Sequence, residues 1–189
     1  MFYKTFGKRF LDFLIVFIAV ITLSPLIILV TFLIKCFDPG PIIFKQDRIG
    51  ENGRKFKFYK FRSMPVNTGD KASDEIGQVK ITWVGKVLRR TNIDELPQLF
   101  NVLKGDMSIV GPRPPILSQV ELIELRRENG ALQCLPGLTG LAQVSSFDGM
   151  TVSEKAYFDG EYANNLSFYL DLRIILNTFF YLLRPPPVY

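Results

Sequence analysis

The stretch "RRTNIDELPQL", residues 89–99, sets two arginines, two adjacent acids and a proline within eleven positions. Proline fits only the first turn of a helix, where its missing N–H has no partner to lose. Leu96, Leu99, Phe100 and Leu103 are spaced i, i+3, i+4, i+7, so an amphipathic helix is expected to begin within a few residues of Asp94. Two readings stay open. Acids in a first turn are ordinary caps, with Asp94 as the cap or Thr91 and Asp94 at capping-box spacing. Alternatively, an ionised aspartate there attacks phosphorus and forms an acyl phosphate. Glu95, about 100° further round the axis, would then hold Mg²⁺ beside substrate phosphates, and the nearby arginines would neutralise charge on the transferred group.

A second stretch suits the same chemistry. Gly111-Pro112-Arg113-Pro114, in "KGDMSIVGPRP" (104–114), is a backbone-restricted turn that presents one guanidinium. Arg113 is either a phosphate fork or a solvated turn residue. "PGLTG" (136–140) reads as an architectural turn. With no histidine in the chain, Ser-His-Asp and Cys-His catalysis and histidine-ligated zinc are excluded. Cys36 and Cys134 lie far apart without a CxxC, which suggests packing residues in a reducing compartment.

The elements that must position these residues are unusual for a soluble domain. The 189 residues suffice for one domain, carry a formal charge of +5, and are 48% hydrophobic with 17 phenylalanines. Residues 13–34 run 22 positions without a charge, roughly 33 Å as a straight helix, enough to cross a bilayer. Pro25 sits mid-run, where it removes a helix hydrogen bond and Ser24 could help re-satisfy the freed carbonyl. Lys4, Lys8 and Arg9 precede the run; Lys35, Lys45, Arg48 and Arg54 follow it. Positive-inside logic keeps both ends cytoplasmic. A re-entrant helix-break-helix hairpin satisfies both features, and a kinked span is the alternative.

Residues 38–64 read as a β-hairpin, with a turn at Asp38-Pro39-Gly40-Pro41, a strand "IIFKQ", a reversal at "GENG" and a return strand whose alternation slips at Tyr59, as at a bulge. "RKFKFYKFR" interleaves basic and aromatic residues, a pattern shared with single-strand nucleic-acid binders, but that function leaves the apolar run unexplained. Residues 65–80 form a polar, lid-like loop. "WVGKVLRR" (83–90) is a short helix with Trp83, Val84, Val87 and Leu88 on one side. Residues 168–184 are too polar to span a membrane and very apolar for a solvent-facing helix, so an interfacial helix is expected, with a core helix as the alternative. Pro185-Pro186-Pro187 ends it.

Taken in order, Ser24-Pro25, "YKFRSM" (59–64), "LRRTNIDELPQLFNVLKGDMSIVGPRP" (88–114), "PGLTGLAQV" (136–144) and "YFDGEYANNLSFYLDLRIILNT" (157–178) resemble the small monotopic phosphoglycosyl transferases, the bacterial sugar transferases. The resemblance implies an α/β membrane-associated fold, with a re-entrant hairpin over residues 1–37 and a cytosolic catalytic domain over 38–189 that carries a small β-hairpin and several amphipathic or interfacial helices. It implies transfer of a phospho-sugar from a UDP-sugar to a polyprenyl phosphate such as undecaprenyl phosphate, at the cytoplasmic face of a bacterial inner membrane, with release of UMP. Asp94 would be the nucleophile and Glu95 the Mg²⁺ ligand; Lys60, Arg62, Arg89 and Arg113 would be phosphate contacts. Ser145-Ser146-Phe147 stands where many members read Asn-Gly-Arg, which leaves the sugar donor open. The long multi-span N-terminal region of larger relatives is absent here, so a minimal catalytic unit is expected. A basic membrane scaffold without chemistry also suits the charge and the hairpin, but gives no reason for Asp94-Glu95 beside a rigid arginine turn.

Overall fold

The computed structural model describes residues 3–37, 40–64, 82–145 and 149–182. Asp38, Pro39, the polar loop 65–80, Ser146, Phe147 and the closing prolines lie outside them. The described chain is a mixed α/β structure, mostly helical, with two small two-stranded sheets.

Helix α1 (Lys8–Phe37) follows a π-helical turn at Tyr3–Gly7 and runs for 30 residues, about 45 Å. The two half-helices expected either side of Ser24-Pro25 are one continuous helical element, with Pro25 inside it. Local chemistry accounts for the continuity. Pro25 removes the N–H that would bond the Ile21 carbonyl, and Ser24 Oγ donates to that carbonyl at 2.7 Å instead.

A single stripe of α1 faces the rest of the protein along its whole length. Val16 packs with Phe58, Leu99, Val102 and Met107; two turns beyond Pro25, Val30 and Ile34 pack with Phe61, Val84 and Leu88. The remaining surface of α1 is apolar and exposed, including Phe10, Phe17, Ile21, Ile28 and Phe32. Its first turn is fastened by polar bonds. Lys8 Nζ lies 2.7 Å from Asp171 Oδ2, Arg9 donates to the carbonyls of Val102 and Met107, and Asp12 accepts from Ser108 Oγ at 2.7 Å. Lys8 and Arg9, read as solvent-side flanking charges, are therefore anchors.

Strands β1 (Ile43–Ile49) and β2 (Lys55–Phe61) pair antiparallel from Ile43↔Phe61 to Ile49↔Lys55. The register is unbroken, so the bulge expected at Tyr59 is absent. Phe58 and Phe61 are an odd number of residues apart and point to opposite faces. Both are buried, in different clusters, because the end of this hairpin is covered on both sides. The reversal uses Asn52 and Gly53 at φ 54° and 77°.

Helix α2 (Trp83–Arg90) is capped by Thr82, whose hydroxyl accepts from Gly85 N at 3.1 Å. Its expected apolar face divides: Val84 and Leu88 are buried, whereas Trp83 is 71% exposed and Val87 is exposed with it. After α3 (Gln98–Lys104), β3 (Ser108–Val110) pairs parallel with β4 (Gly137–Thr139), and α4 (Val120–Glu128) lies in the crossover. The pair approaches closely just past β3: a Cβ on Gly137 would sit 2.1 Å from Gly111 N, which requires glycine and confirms the architectural role expected of 136–140. Helices α5 (Leu141–Ser145), α6 (Val152–Asn165, with a Thr151/Glu154 capping box) and α7 (Phe168–Leu182) complete the chain. On α7, Asp171 and Ile174 are buried while Tyr169, Leu176, Phe179 and Phe180 are exposed, so it is neither a core helix nor a polar surface one. Cys134 is half-buried. Cys36 is exposed and not the packing residue expected.

Candidate active site

The acid pair does not start helix α3. Asp94 and Glu95 lie in a separate 3-10 turn, Ile93–Glu95, entered through Asn92 in the left-handed region at φ 54°. The cap position of α3 is Pro97, with no side-chain cap bond, and Asn92 makes none for the turn. Thr91 is engaged elsewhere, its hydroxyl donating to the Val87 carbonyl at 2.8 Å to close α2. Both capping alternatives therefore fall away. Asparagine tolerates the left-handed backbone better than most residues, and here it turns the chain sharply out of α2 so that the two acids face β2.

Lys60 and Arg113 converge on Glu95. Lys60 Nζ and Arg113 Nη2 each lie 2.7 Å from Glu95 Oε1. Lys60 Nζ is also 4.0 Å from Asp94 Oδ2, a longer approach than any hydrogen bond. Asp94 is only 7% exposed, yet no hydrogen bond to its carboxylate forms among the described residues. Burial pushes the Asp94 carboxyl above the usual aspartate range; Lys60 pulls it down, the Glu95 charge pushes it up, and Arg89 and Arg113 pull it down. Glu95 behaves oppositely. Burial pushes it up, but Arg113 and Lys60 together hold its carboxyl well below the usual range. The pair thus contains one firmly ionised acid clamped by two cations and one desolvated acid with a cation at a distance.

Among the residues singled out from sequence, Lys60, Arg89, Asp94, Glu95 and Arg113 come together. Arg89 acts on Asp94 through its field. Arg62 is buried one position beyond β2, where its backbone N–H bonds the Ile42 carbonyl at 2.8 Å.

Asn101, Arg48 and the Arg126–Asp159 pair were not legible as parts of this assembly. Asn101, fully buried, accepts from Tyr59 N at 3.1 Å and donates to Lys57 O at 2.7 Å. Its side-chain amide pairs the outer edge of β2 and ties the strand carrying Lys60 to the helix following the acids. A polar residue inside the apolar run "LFNVL" was the available signal. Behind the Arg113 turn, Arg126 donates to the Arg113 carbonyl at 2.8 Å and Arg48 to the Pro114 carbonyl at 3.0 Å. Nothing in their local sequence marks them.

A divalent metal can be weighed against the donors present. Among the described residues no group of three or more His, Cys, Asp or Glu side chains gathers. Both ion pairs of Glu95 use Oε1, which leaves Oε2 outside them. Mg²⁺ binds through one or two carboxylates when substrate phosphates and water complete its shell. The donor set fits a metal that arrives with a diphosphate, and not one held by protein alone.

Known proteins resemble the chain over nearly its full length. It is 40% identical over 190 residues to the exopolysaccharide production protein ExoY of Sinorhizobium fredii, covering 91% of this chain and 83% of that one. It is 40% identical to a UDP-N-acetylgalactosamine-undecaprenyl-phosphate N-acetylgalactosaminephosphotransferase of Aeromonas hydrophila, and 38% identical to a UDP-glucose:undecaprenyl-phosphate glucose-1-phosphate transferase of Escherichia coli. These two matches cover 92% of this chain, but only 43% and 39% of those longer proteins. The family model described as bacterial sugar transferase matches residues 3–185, from the turn before α1 past the end of α7. A match that takes in the apolar helix, the acid turn and the arginine turn together places the chain in the bacterial sugar transferase family.

Proposed function

We propose that the protein transfers a sugar 1-phosphate from a UDP-sugar to undecaprenyl phosphate, and so initiates assembly of a polysaccharide on a lipid carrier. The carrying observation is the buried Asp94 carboxylate, free of hydrogen bonds among the described residues and flanked by Lys60, Arg89 and Arg113. Relatives named for this reaction with undecaprenyl phosphate support the reading.

The chemistry proceeds in two displacements at one phosphorus. Asp94 attacks the sugar-bearing phosphorus of the UDP-sugar and forms an acyl phosphate to it. The bond from that phosphorus to the bridging oxygen breaks, and UMP departs with the oxygen. A phosphate oxygen of the polyprenyl acceptor then attacks the same phosphorus, the aspartyl bond breaks, and the lipid diphosphosugar leaves. Desolvation suits Asp94 to the attacking role, because an ionised carboxylate with few hydrogen bonds keeps its lone pairs for phosphorus. An incoming diphosphate competes with Glu95 for Lys60 and Arg113, and those cations then neutralise the reacting phosphates. Glu95, released from them, would hold Mg²⁺, which neutralises charge on the departing nucleotide.

Membrane placement belongs to the same proposal. Among the described residues α1 is the one helix long and apolar enough to cross a bilayer. Yet both of its halves pack on the catalytic domain, Lys8 and Val16 near one end and Ile34 near the other. That arrangement supports a monotopic helix with both ends at the cytoplasmic face. The exposed faces of α1 and α7, with Trp83, would meet lipid.

The test is UMP release from a panel of UDP-sugars, with undecaprenyl phosphate and Mg²⁺ in detergent, for wild type and Asp94→Asn. Release with one sugar, lost in the variant, carries the proposal. Release that persists in Asp94→Asn removes the aspartyl intermediate.

A further inference from the structure

The turn that carries Arg113 is held from behind more firmly than a structural turn requires. Its sequence, Gly-Pro-Arg-Pro-Pro (111–115), contains three residues without an N–H, so within 112–115 only Arg113 can donate from its backbone. Each of the four carbonyls of 112–115 meets a donor. Gly137 N bonds the Pro112 carbonyl at 3.0 Å, Arg126 Nη1 the Arg113 carbonyl at 2.8 Å, Arg48 Nη1 the Pro114 carbonyl at 3.0 Å, and Ile49 N the Pro115 carbonyl at 3.1 Å. The prolines fix the internal torsions of the turn. What remains is its tilt as a unit, and the carbonyl bonds set that.

Arg126 is the central holder. It sits on α4, is 4% exposed, and presents Nε and Nη2 to Asp159 Oδ2 on α6 at 2.8 and 2.5 Å. Its third nitrogen is the one on the Arg113 carbonyl. Three nitrogens of one planar fork are thus committed, two to orient the fork and one to hold the turn, a division a lysine cannot reproduce. Arg126 bonds the backbone of the turn and Asp159 and neither acid of the pair, so it reaches the acid pair through the turn.

We infer that Arg126, oriented by Asp159, is a positioning residue for phosphoryl transfer: it sets where the Arg113 guanidinium meets the sugar-bearing phosphate of the nucleotide donor. The inference rests on the reading of Arg113 as a phosphate-binding residue. Displacing a substrate-binding group by about 1 Å costs on the order of 100-fold in rate, and loss of the fork frees the turn to tilt by such amounts.

The experiment is a cycle in the full chain in detergent, with a UDP-sugar that the wild type turns over. Single-turnover UMP release, UDP affinity and thermal unfolding are measured for Arg126→Lys, Arg113→Lys and the double variant, with Asp159→Asn replacing Arg126→Lys should that variant not fold. Arg126→Lys is expected to slow UMP release by about 10- to 100-fold and to weaken UDP binding. In the Arg113→Lys background the same change is expected to alter release by less than about twofold, since its effect travels through the guanidinium already lost. Equal fold-losses in both backgrounds, tracking the fall in unfolding temperature, would assign Arg126 to bulk stability and overturn the inference. If Arg113→Lys releases UMP and binds UDP as the wild type does, the phosphate-binding reading of Arg113 fails, and this inference with it. A defective Arg113→Lys beside a normal Arg126→Lys overturns the positioning role alone.

Discussion

Two buried groups of acids and lysines sit in this molecule, and they are finished to different degrees. At the foot of α1, Asp171 accepts from Tyr3 at 2.6 Å, Lys8 at 2.7 Å and Tyr162 at 2.8 Å, while Asp12 accepts from Ser108 Oγ and Ile109 N. At the acid turn, Asp94 is buried too, but among the described residues its carboxylate accepts no hydrogen bond and its one ion pair is with Lys60, at 4.0 Å. A buried carboxylate that accepts three hydrogen bonds is a structural joint. One left with a distant cation is costly unless something else completes it, and in a transferase that something is substrate.

The sharpest way to break the contrast is to neutralise one acid in each group. Asp94→Asn is expected to lower UMP release by 1,000-fold or more, on the order of losing a nucleophile, and to leave the unfolding temperature unchanged or raised. The sign follows from the raised Asp94 carboxyl. Its contribution to stability is fully present below the unfolded-state pKa and is lost as pH rises through the folded one, so near neutral pH the ionised form is the burden that asparagine removes. Asp171→Asn leaves Lys8 buried without its counter-charge, at a cost of about 3–5 kcal/mol, seen as a large drop in unfolding temperature. Matching outcomes at the two sites would abolish the distinction.

Next in size is pH dependence. As the proposed nucleophile Asp94 attacks only when ionised, so kcat/KM for the UDP-sugar is expected to fall on the acid side with an apparent pKa above the ordinary aspartate value of 3.8. Lys60→Met removes a charge that lowers this pKa and moves the limb to higher pH. Glu95→Gln removes a charge that raises it and moves the limb down. A limb unmoved by either change would detach the titration from Asp94. In the same Glu95→Gln protein, half-saturation by Mg²⁺ is expected to rise by at least about tenfold, the scale of losing a partner at a metal site. An unchanged Mg²⁺ curve removes Glu95 from the metal.

Much of the reactive side was legible in sequence because chemistry needs residue types that stand out. Two adjacent acids before a proline, and an arginine fenced by prolines, are visible without a fold. Helix α2 (Trp83–Arg90) and the paired strands fall where periodicity and turn chemistry put them. What was illegible depends on neighbours distant along the chain. Lys8 looked like a membrane-flanking charge because its partner, Asp171, lies 163 residues away. Tyr59 looked like a bulge because alternation assumes one buried face, and this hairpin end has two. Trp83 and Phe100 completed apolar helix faces on paper, yet both are exposed. Periodicity measures which residues avoid water and does not say whether protein or lipid replaces it.

The smallest effect concerns Pro25. Its missing N–H would strand the Ile21 carbonyl in an apolar surround, and the Ser24 hydroxyl answers it at 2.7 Å. Ser24→Ala should therefore cost about 1 kcal/mol, the scale of one such bond in lipid. Pro25→Ala supplies the N–H, so in that background Ser24→Ala should cost almost nothing. The coupling between the two is the measurable quantity, read from unfolding in detergent. It also bears on topology. If the Ser-Pro pair keeps both ends of α1 at one face, Cys36 and a cysteine introduced at Lys4 should label from the cytoplasmic side in the wild type, and one of them should become protected in Pro25→Ala. Labelling that stays cytoplasmic at both positions would mean that α1 is held at one face by its packing on the rest of the protein, through Lys8, Val16 and Ile34, and not by the proline at all.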